Sequence, residues 1–215
     1  MIYPCSSGNG VFRNPNPSQV WIIYLMATHW CTKYTYIRRF GLSLYCFLIS
    51  VYLQRSSMNV TKVDFDRAVS EVVEELKGIN SLYAGQYDLL HSLMKNENIF
   101  YTSSTNSGKT LPGVIYPEVL KKLNSLGYNF PSRPKVLFLT ALNSIKLSIL
   151  SNVKGLGIGC ESVTSDNLKE LLDSETSVFF ISPEVLKLPE VTQMLLRHRS
   201  DFVLKIVDEA HLGNY

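Results

Sequence analysis

The chain has 215 residues and a formal net charge of +3, which favours one domain with an appendage. Its charges are unevenly spread: all 18 acidic residues lie in residues 58–215, against 16 of the 21 lysines and arginines. That part therefore carries about −2 (16 − 18) and shows no strong basic patch. Cys160 is its single cysteine, which excludes a disulfide framework there, and the three earlier cysteines lack metal-site spacing.

Residues 1–57 have a composition of their own, without a single aspartate or glutamate. The apolar run Phe40–Leu53 has 14 residues, whereas a membrane-spanning helix needs about 20, and the patch Val20–Thr28 is shorter still. Three interpretations stay open: a membrane anchor, an ordered extension, or sequence that is not a selected protein segment. The last is favoured, membrane association is not, and no function is predicted for this extension of unknown order.

Residues 58–80 read as a helical lead-in to a main unit predicted at residues 81–215. Apolar residues recur at helical spacing over Val63–Leu76, with acidic residues between them. The predicted buried face of this helix comprises Val63, Phe65, Val69, Val72, Val73 and Leu76.

Short apolar runs alternate with helical segments through the main unit. This alternation predicts an α/β fold, with a parallel sheet and helices on both of its faces. Ligand sites of such sheets lie beyond the carboxyl ends of the strands. Strands are predicted at Ile99–Tyr101, Val136–Thr140, Leu156–Cys160, Val178–Ser182 and Phe202–Val207, and helices at Gln86–Met94, Thr110–Leu126 (with a kink at Pro117), Ser144–Val153, Asp166–Leu172 and Pro189–His198.

A polar loop follows the first of these strands and leads directly into a helix. A phosphate loop wraps backbone N–H groups around the β-phosphate, its lysine spans the β- and γ-phosphates, and the next hydroxyl holds Mg²⁺. Lys109 and Thr110 fit the last two positions. Asn106 stands where glycine is usual; it tolerates a positive φ, but its side chain would weaken binding if it crowds the phosphates. The predicted ATP-binding residues of the loop are Ser103, Ser104, Thr105, Asn106, Ser107, Gly108, Lys109 and Thr110.

An acidic pair, Asp208-Glu209, ends the apolar run Phe202–Val207. A carboxylate that ends a strand beside a phosphate loop coordinates Mg²⁺, and the carboxylate after it polarises the attacking water. The loop, the strand before the pair and the order of the motifs favour this interpretation over an ordinary acidic turn. Thr110 and Asp208 are therefore the predicted Mg²⁺ ligands, and Glu209 is the predicted catalytic residue.

These motifs resemble those of superfamily-2 helicases and, among them, the RecQ-like DNA helicases. The segment Val207–His211 spells the DEAH box of that group. Gln86 lies 23 residues before Lys109, at the position of the group's adenine-reading glutamine. The strand-end segments 140–144 and 181–184 fall where the group contacts nucleic acid.

The resemblance implies an incomplete RecA-like P-loop NTPase lobe with ATP and Mg²⁺ as cofactors. Gln86 would read adenine, and His211 would couple the ATP site to the nucleic acid. The residues along the bound strand would be Thr140, Ser182 and Glu184. The group also needs a second RecA-like lobe that supplies an arginine finger, and neither this lobe nor the end of the first one is expected within the chain.

The sequence thus predicts the first ATP-binding lobe of an ATP-dependent DNA helicase, in the nucleus or the cytoplasm. An RNA helicase lobe is an alternative, because Ski2-like RNA helicases resemble the chain in their DEAH box and Pro-Glu turn. A non-catalytic fragment that binds nucleotide or nucleic acid is the other alternative. Asn106 and Ala141, which replaces the group's proline, favour this second alternative.

Overall fold

The computed structural model describes residues 11–13, 21–26, 59–95, 99–103, 107–140 and 143–208. Within these ranges the chain forms seven strands and seven helices. The strands are β1 (Val11–Arg13), β2 (Trp21–Met26), β3 (Ile99–Ser103), β4 (Lys135–Leu139), β5 (Cys160–Ser162), β6 (Val178–Ile181) and β7 (Phe202–Val207). The helices are α1 (Lys62–Glu75), α2 (Ala84–Met94), α3 (Leu111–Ser125), α4 (Asn143–Gly155), α5 (Leu168–Asp173), α6 (Pro183–Leu186) and α7 (Pro189–Arg197).

The strands form one sheet in the order β1-β3-β2-β7-β4-β6-β5. The four strands from β7 to β5 pair in parallel throughout. Strand β2 pairs in parallel with both β3 and β7, and only β1, at the edge beside β3, runs antiparallel. The predicted α/β fold with a parallel sheet is confirmed.

Strands β4, β6 and β7 are buried on both faces, as their continuous apolar sequences require. All five residues of β4 are buried, and their side chains alternate between two cores. Phe138 stacks on Phe180 at 5.0 Å between ring centroids, in the core that also contains α1, α2 and α3. On the other face Phe179 meets Phe202 edge-on at 5.6 Å, in the core that α5 and α7 cover.

Helix α1 belongs to the same core as the main unit. Phe65 and Ala68 are fully buried beside residues of α2 and α3. Thr61 caps the first turn, because its Oγ1 accepts a hydrogen bond from the Asp64 N–H at 3.1 Å. The prediction that Val63 is buried was wrong, because this residue is 76% exposed. Val63 and the buried Phe65 are two residues apart and therefore lie on opposite sides of α1.

A tyrosine of α2 connects α1 to the rest of the fold. Tyr87 Oη donates a hydrogen bond to the Asp66 carboxylate, and this bond is the main reason why the pKa of Asp66 lies below its ordinary value. Burial first, and the same bond second, raise the pKa of Tyr87 to about 12. The Tyr87 ring also meets Phe65 at 5.7 Å.

Replacing Tyr87 by phenylalanine is expected to lower the free energy of unfolding by about 0.5–1 kcal/mol at neutral pH, since Asp66 is partly exposed. A carboxyl whose folded pKa is depressed stabilises the fold above its unfolded pKa, about 3.9, and this contribution is lost as the pH falls below that value. Urea denaturation of both proteins at pH 7 and pH 3 measures the difference. It should shrink at pH 3; a constant difference would show that ring packing, not the hydrogen bond, is what changed.

Several element boundaries differ from the predicted ones for local reasons. The strand predicted at 156–160 begins only at Cys160, because Gly157 has a φ of +92° and ends the preceding helix in a turn. Helix α3 continues through the buried Pro117 without a break. The predicted Pro-Glu turn is the start of the short helix α6, with Pro183 in its first turn.

The apolar patch at residues 20–28 contains a strand that the sequence analysis did not predict. Strand β2 lies inside the sheet and is hydrogen-bonded on both sides. The run Phe40–Leu53 lies outside the described residues. In the part of the chain that the structure describes, no helix has the length and apolar character needed to cross a membrane.

Candidate functional site

The end of the predicted phosphate loop turns sharply between β3 and α3. Gly108 has a φ of +69°, which favours glycine, and a Cβ atom at this position would lie 2.5 Å from Gln86 Nε2. The Leu111 N–H donates to the Gly108 carbonyl at 3.1 Å and closes the turn. The positive φ therefore favours glycine at 108, and any larger residue would also have to displace the Gln86 side chain. Ser104, Thr105, Asn106 and the side chain of Ser103 lie outside the described residues.

Lys109 and Thr110 stand at the N-terminus of α3, a helix of 15 residues. Helix N-termini carry partial positive charge and unpaired N–H groups, which favour anions. Thr110 is the N-cap residue of α3, yet its side chain makes no capping hydrogen bond to the helix backbone. Lys109 Nζ is shielded from solvent. A lysine and a threonine thus stand next to each other in the chain directly before a helix N-terminus, a combination that suits a phosphate group.

Gln86 supports this loop from α2. Its side chain is 3% exposed; Nε2 donates to the Gly108 carbonyl at 3.0 Å, with the Ser107 carbonyl at 3.5 Å. Its Oε1 accepts from the N–H of Tyr83, the N-cap residue of α2, at 3.0 Å. The amide predicted to read adenine is therefore bonded to the loop backbone in this conformation.

Gln86→Ala is expected to lower the free energy of unfolding by about 1–2 kcal/mol, because it removes a helix cap and the bond to Gly108. Gln86→Glu should lower it at least as much, because a buried carboxylate oxygen would face the Gly108 carbonyl where Nε2 now donates a hydrogen bond. Thermal and urea denaturation measure both. Gln193→Ala, at an exposed position of α7, is the matched control and should change stability by less than about 0.5 kcal/mol. Equal effects of the Gln86 and Gln193 changes would contradict the supporting role.

Asp208 stands at the carboxyl end of β7 and is 5% exposed. Its N–H donates to the Leu139 carbonyl at 2.9 Å, so the ladder between β4 and β7 continues one residue past the strand. This bond fixes the backbone of the predicted Mg²⁺ ligand. Glu209 and His211, the predicted catalytic and coupling residues, lie outside the described residues.

Thr140 and Ser182 end the neighbouring strands β4 and β6. The residue Thr140 is 2% exposed, and its Oγ1 is buried without a hydrogen-bond partner among the residues that the structure describes. A buried polar atom left unpaired costs about 1–3 kcal/mol. Ser182 Oγ accepts from the Val185 N–H at 3.4 Å and caps α6, in which Glu184 is exposed. Of the three residues predicted to lie along a nucleic-acid strand, only Glu184 is exposed.

The parallel strands bring these residues to one edge of the sheet. The phosphate loop follows β3, Asp208 follows β7, Thr140 follows β4 and Ser182 follows β6, and all four strands run the same way. Because β2 separates β3 from β7, these two strands are two strand spacings apart across the sheet, about 10 Å. Through Ile23 of β2, Val207 is level with Phe100, so β3 continues three residues past the level of Val207 before the loop begins. A ligand that contacts both motifs would therefore lie beyond the carboxyl ends of the strands.

The oxygen donors at this edge fit Mg²⁺. Mg²⁺ prefers hard oxygen ligands and is bound in nucleotide sites by one or two carboxylates together with substrate phosphates. Thr110 supplies a hydroxyl and Asp208 a carboxylate. The described residues contain no cluster of three or more histidine, cysteine or acidic side chains that would hold a metal by itself. The donor set present is thus one that a phosphate ligand would complete.

Two features of the site were missed by the sequence analysis. The contact between Gln86 and Gly108 joins residues 22 positions apart, and the only signal for it was the glutamine at the start of a helix before the loop. Nothing in the sequence near either motif indicated that β2 separates the loop from Asp208. No sequence pattern had marked Tyr83, the N-cap residue of α2, although this residue is 73% exposed.

No protein-family model, no curated protein and no solved structure matches this chain. The α/β fold and the shared sheet edge are therefore established by the structure alone. The likeness to helicases remains a prediction drawn from the motifs, and the function has to be argued from the residues of the site.

Proposed function

We propose that this chain binds Mg·ATP as the first, RecA-like lobe of an ATP-dependent helicase, with DNA as the favoured nucleic acid. The observation that carries the proposal is the position of two motifs at one sheet edge. The turn at Gly108 leads Lys109 and Thr110 into α3, and Asp208 ends β7 two strand spacings away. A phosphate loop and a metal-binding carboxylate need this arrangement to act on one nucleotide.

Each residue of the site has a proposed role. Lys109 neutralises the β- and γ-phosphates, and the N-terminus of α3 adds its N–H groups and partial charge. Thr110 and Asp208 hold Mg²⁺, which draws electron density from the phosphate oxygens when it is bound. Gln86 keeps the loop in its binding shape through Gly108. Glu209 orients the attacking water by the helicase resemblance.

Nucleotide binding, rather than fast turnover, is the property for which the residues of this site account by themselves. In related enzymes an arginine supplied from a second structural element raises the hydrolysis rate by about 10³–10⁵. The helicase resemblance assigns this arginine to a second lobe. A nucleotide-binding assay therefore tests the proposal more directly than a rate measurement.

A second function, nucleotide binding without nucleic-acid unwinding, is favoured by one observation. Of the three residues predicted along a nucleic-acid strand, Thr140 is buried and the Ser182 hydroxyl is already used to cap α6. Nucleic-acid affinity also depends largely on basic groups near phosphates, and residues 58–215 carry about −2. The two functions differ in whether ATP changes the affinity for nucleic acid.

The test is equilibrium binding of fluorescently labelled ATP by the full chain, with Mg²⁺ and with EDTA. The proposal predicts saturable binding that Mg²⁺ strengthens and that unlabelled ATP displaces. Binding of labelled single-stranded DNA and RNA is then measured with and without ATP. Coupling between ATP and DNA supports the helicase lobe, a preference for RNA supports the RNA alternative, and the absence of coupling supports the nucleotide-binding function. No binding of Mg·ATP would overturn the proposal.

A further inference from the structure

Three neighbouring strands end in a row of polar residues. Leu139 is in register with Ile181 on one side and with Val207 on the other. The next position on each strand is polar: Ser182 on β6, Thr140 on β4 and Asp208 on β7. The Thr140 N–H donates to the Ile181 carbonyl at 3.1 Å, and the Asp208 N–H donates to the Leu139 carbonyl, so both ladders extend into this row.

Thr140 and Asp208 are therefore neighbours on the same face. Residues in register on adjacent parallel strands direct their side chains to the same side of the sheet, and the strands lie about 4.8 Å apart. Both residues are buried, at 2% and 5% exposure. A hydroxyl and a carboxylate that are both withdrawn from bulk water thus share one small region beyond the strand ends.

The hydroxyl groups in this row differ in what they do. Ser182 Oγ is engaged by the Val185 N–H, which it caps. Thr140 Oγ1 is the buried hydroxyl for which the described part of the chain provides no hydrogen-bond partner. Valine has the same shape as threonine and favours strands at least as well, so packing alone does not explain a hydroxyl here. A ligand that supplies the missing partner would explain it.

We propose that Thr140 is a positioning residue for the Mg²⁺ ligand Asp208, and that its hydroxyl receives a hydrogen bond from a water molecule on the metal. Mg²⁺ gives up its water reluctantly, and the retained waters donate hydrogen bonds to nearby oxygen atoms. The hydroxyl then has its own proton to donate to the Asp208 carboxylate and orients it, as groups around a metal site generally do for its ligands. This inference rests on the proposed Mg·ATP site and reassigns Thr140 from nucleic-acid contact to metal support.

The test compares Thr140→Val and Thr140→Ser with the unchanged full chain. Labelled ATP is bound at a fixed concentration while Mg²⁺ is titrated, and the thermal midpoint is measured without nucleotide. In Thr140→Val we expect the Mg²⁺ concentration for half-maximal binding to rise about tenfold, while the thermal midpoint stays equal or increases, because an unpaired buried hydroxyl has been removed. ATP binding in EDTA should not change. Thr140→Ser should restore the Mg²⁺ requirement.

The outcomes separate this inference from the proposed function. If the unchanged chain binds Mg·ATP and Thr140→Val needs no more Mg²⁺ than it does, the role of Thr140 is wrong and the nucleotide site stands. A fall in the thermal midpoint of Thr140→Val with unchanged Mg²⁺ dependence also overturns it, because the hydroxyl then serves the fold. If the unchanged chain binds no Mg·ATP, the proposed function fails and the inference fails with it.

Discussion

Mg·ATP binding is expected to weaken about 100-fold when Lys109 is replaced by alanine. Lys109 lies between the sharp turn at Gly108 and the N-cap residue of α3, and its ammonium group is shielded from solvent. Hydrogen bonds to charged groups are worth about 1.5–3 kcal/mol, and the upper end applies where water is excluded. A loss of about 2.7 kcal/mol corresponds to two factors of ten in the dissociation constant. Equilibrium binding of labelled ATP at saturating Mg²⁺ measures the change.

The matched control for Lys109→Ala is Lys169→Ala, which removes the same charge from an exposed position on α5. The control should bind Mg·ATP as the unchanged chain does, because exposed charges far from a ligand are screened by salt. Circular dichroism and thermal denaturation show whether both variants are folded. Should a folded Lys109→Ala protein bind as tightly as the control, residues 103–110 are not a phosphate loop.

A proline in β2 is expected to have the largest effect on stability. Ile23 is in register with Phe100 of β3 and with Val207 of β7, so β2 is bonded on both sides. Proline lacks an N–H and is confined to edge strands and bulges, because a central strand has no position where the donor is dispensable. We expect Ile23→Pro to lower the free energy of unfolding by more than about 3 kcal/mol, which is a large part of the stability of a typical domain. Urea denaturation measures the loss.

Two comparisons sharpen the test of β2. Ile23→Val keeps a β-branched side chain and every backbone hydrogen bond, and should lower the free energy of unfolding by only about 0.5–1.5 kcal/mol. A chain that starts at Met58 would leave β3 and β7 with unpaired edges, which favours aggregation. If that shorter chain unfolds at the same urea concentration and binds Mg·ATP equally well, β2 is not part of the working unit. The interpretation of residues 1–57 as sequence that is not a selected protein segment would then be supported.

The sequence predicted the fold class and most of the elements because their signals are local. The strand Phe202–Val207 was predicted with the bounds that the structure gives it, since an apolar run and a following acidic pair mark both ends. Helix α1 differs from its prediction by one residue at each end. The strand predicted at 156–160 was misplaced, because Gly157 turns the chain where apolar residues alone suggested extension.

The candidate site was only partly predictable for the same reason. Motif spelling selected Lys109, Thr110 and Asp208, and the structure brings their strands to one edge. The motifs did not indicate that Gln86 donates a hydrogen bond to the Gly108 carbonyl, because this contact joins two segments that are 22 residues apart. The burial of Thr140 also escaped prediction, because a polar residue at a strand end is usually exposed and only its neighbours decide otherwise.

The sequence by itself determined most of the strands and helices that follow residue 58, and which residue types stand at their ends, but it indicated neither β1 nor β2. These properties follow from hydrophobic period, glycine and proline, all of which act over a few residues. Only the tertiary structure decided the order of the strands. Strand β2 lies between β3 and β7 although more than 70 residues separate it from either of its neighbours. Pairing over such distances depends on backbone hydrogen bonds and burial that no local pattern encodes, and it decides how far apart the two motifs lie across the sheet.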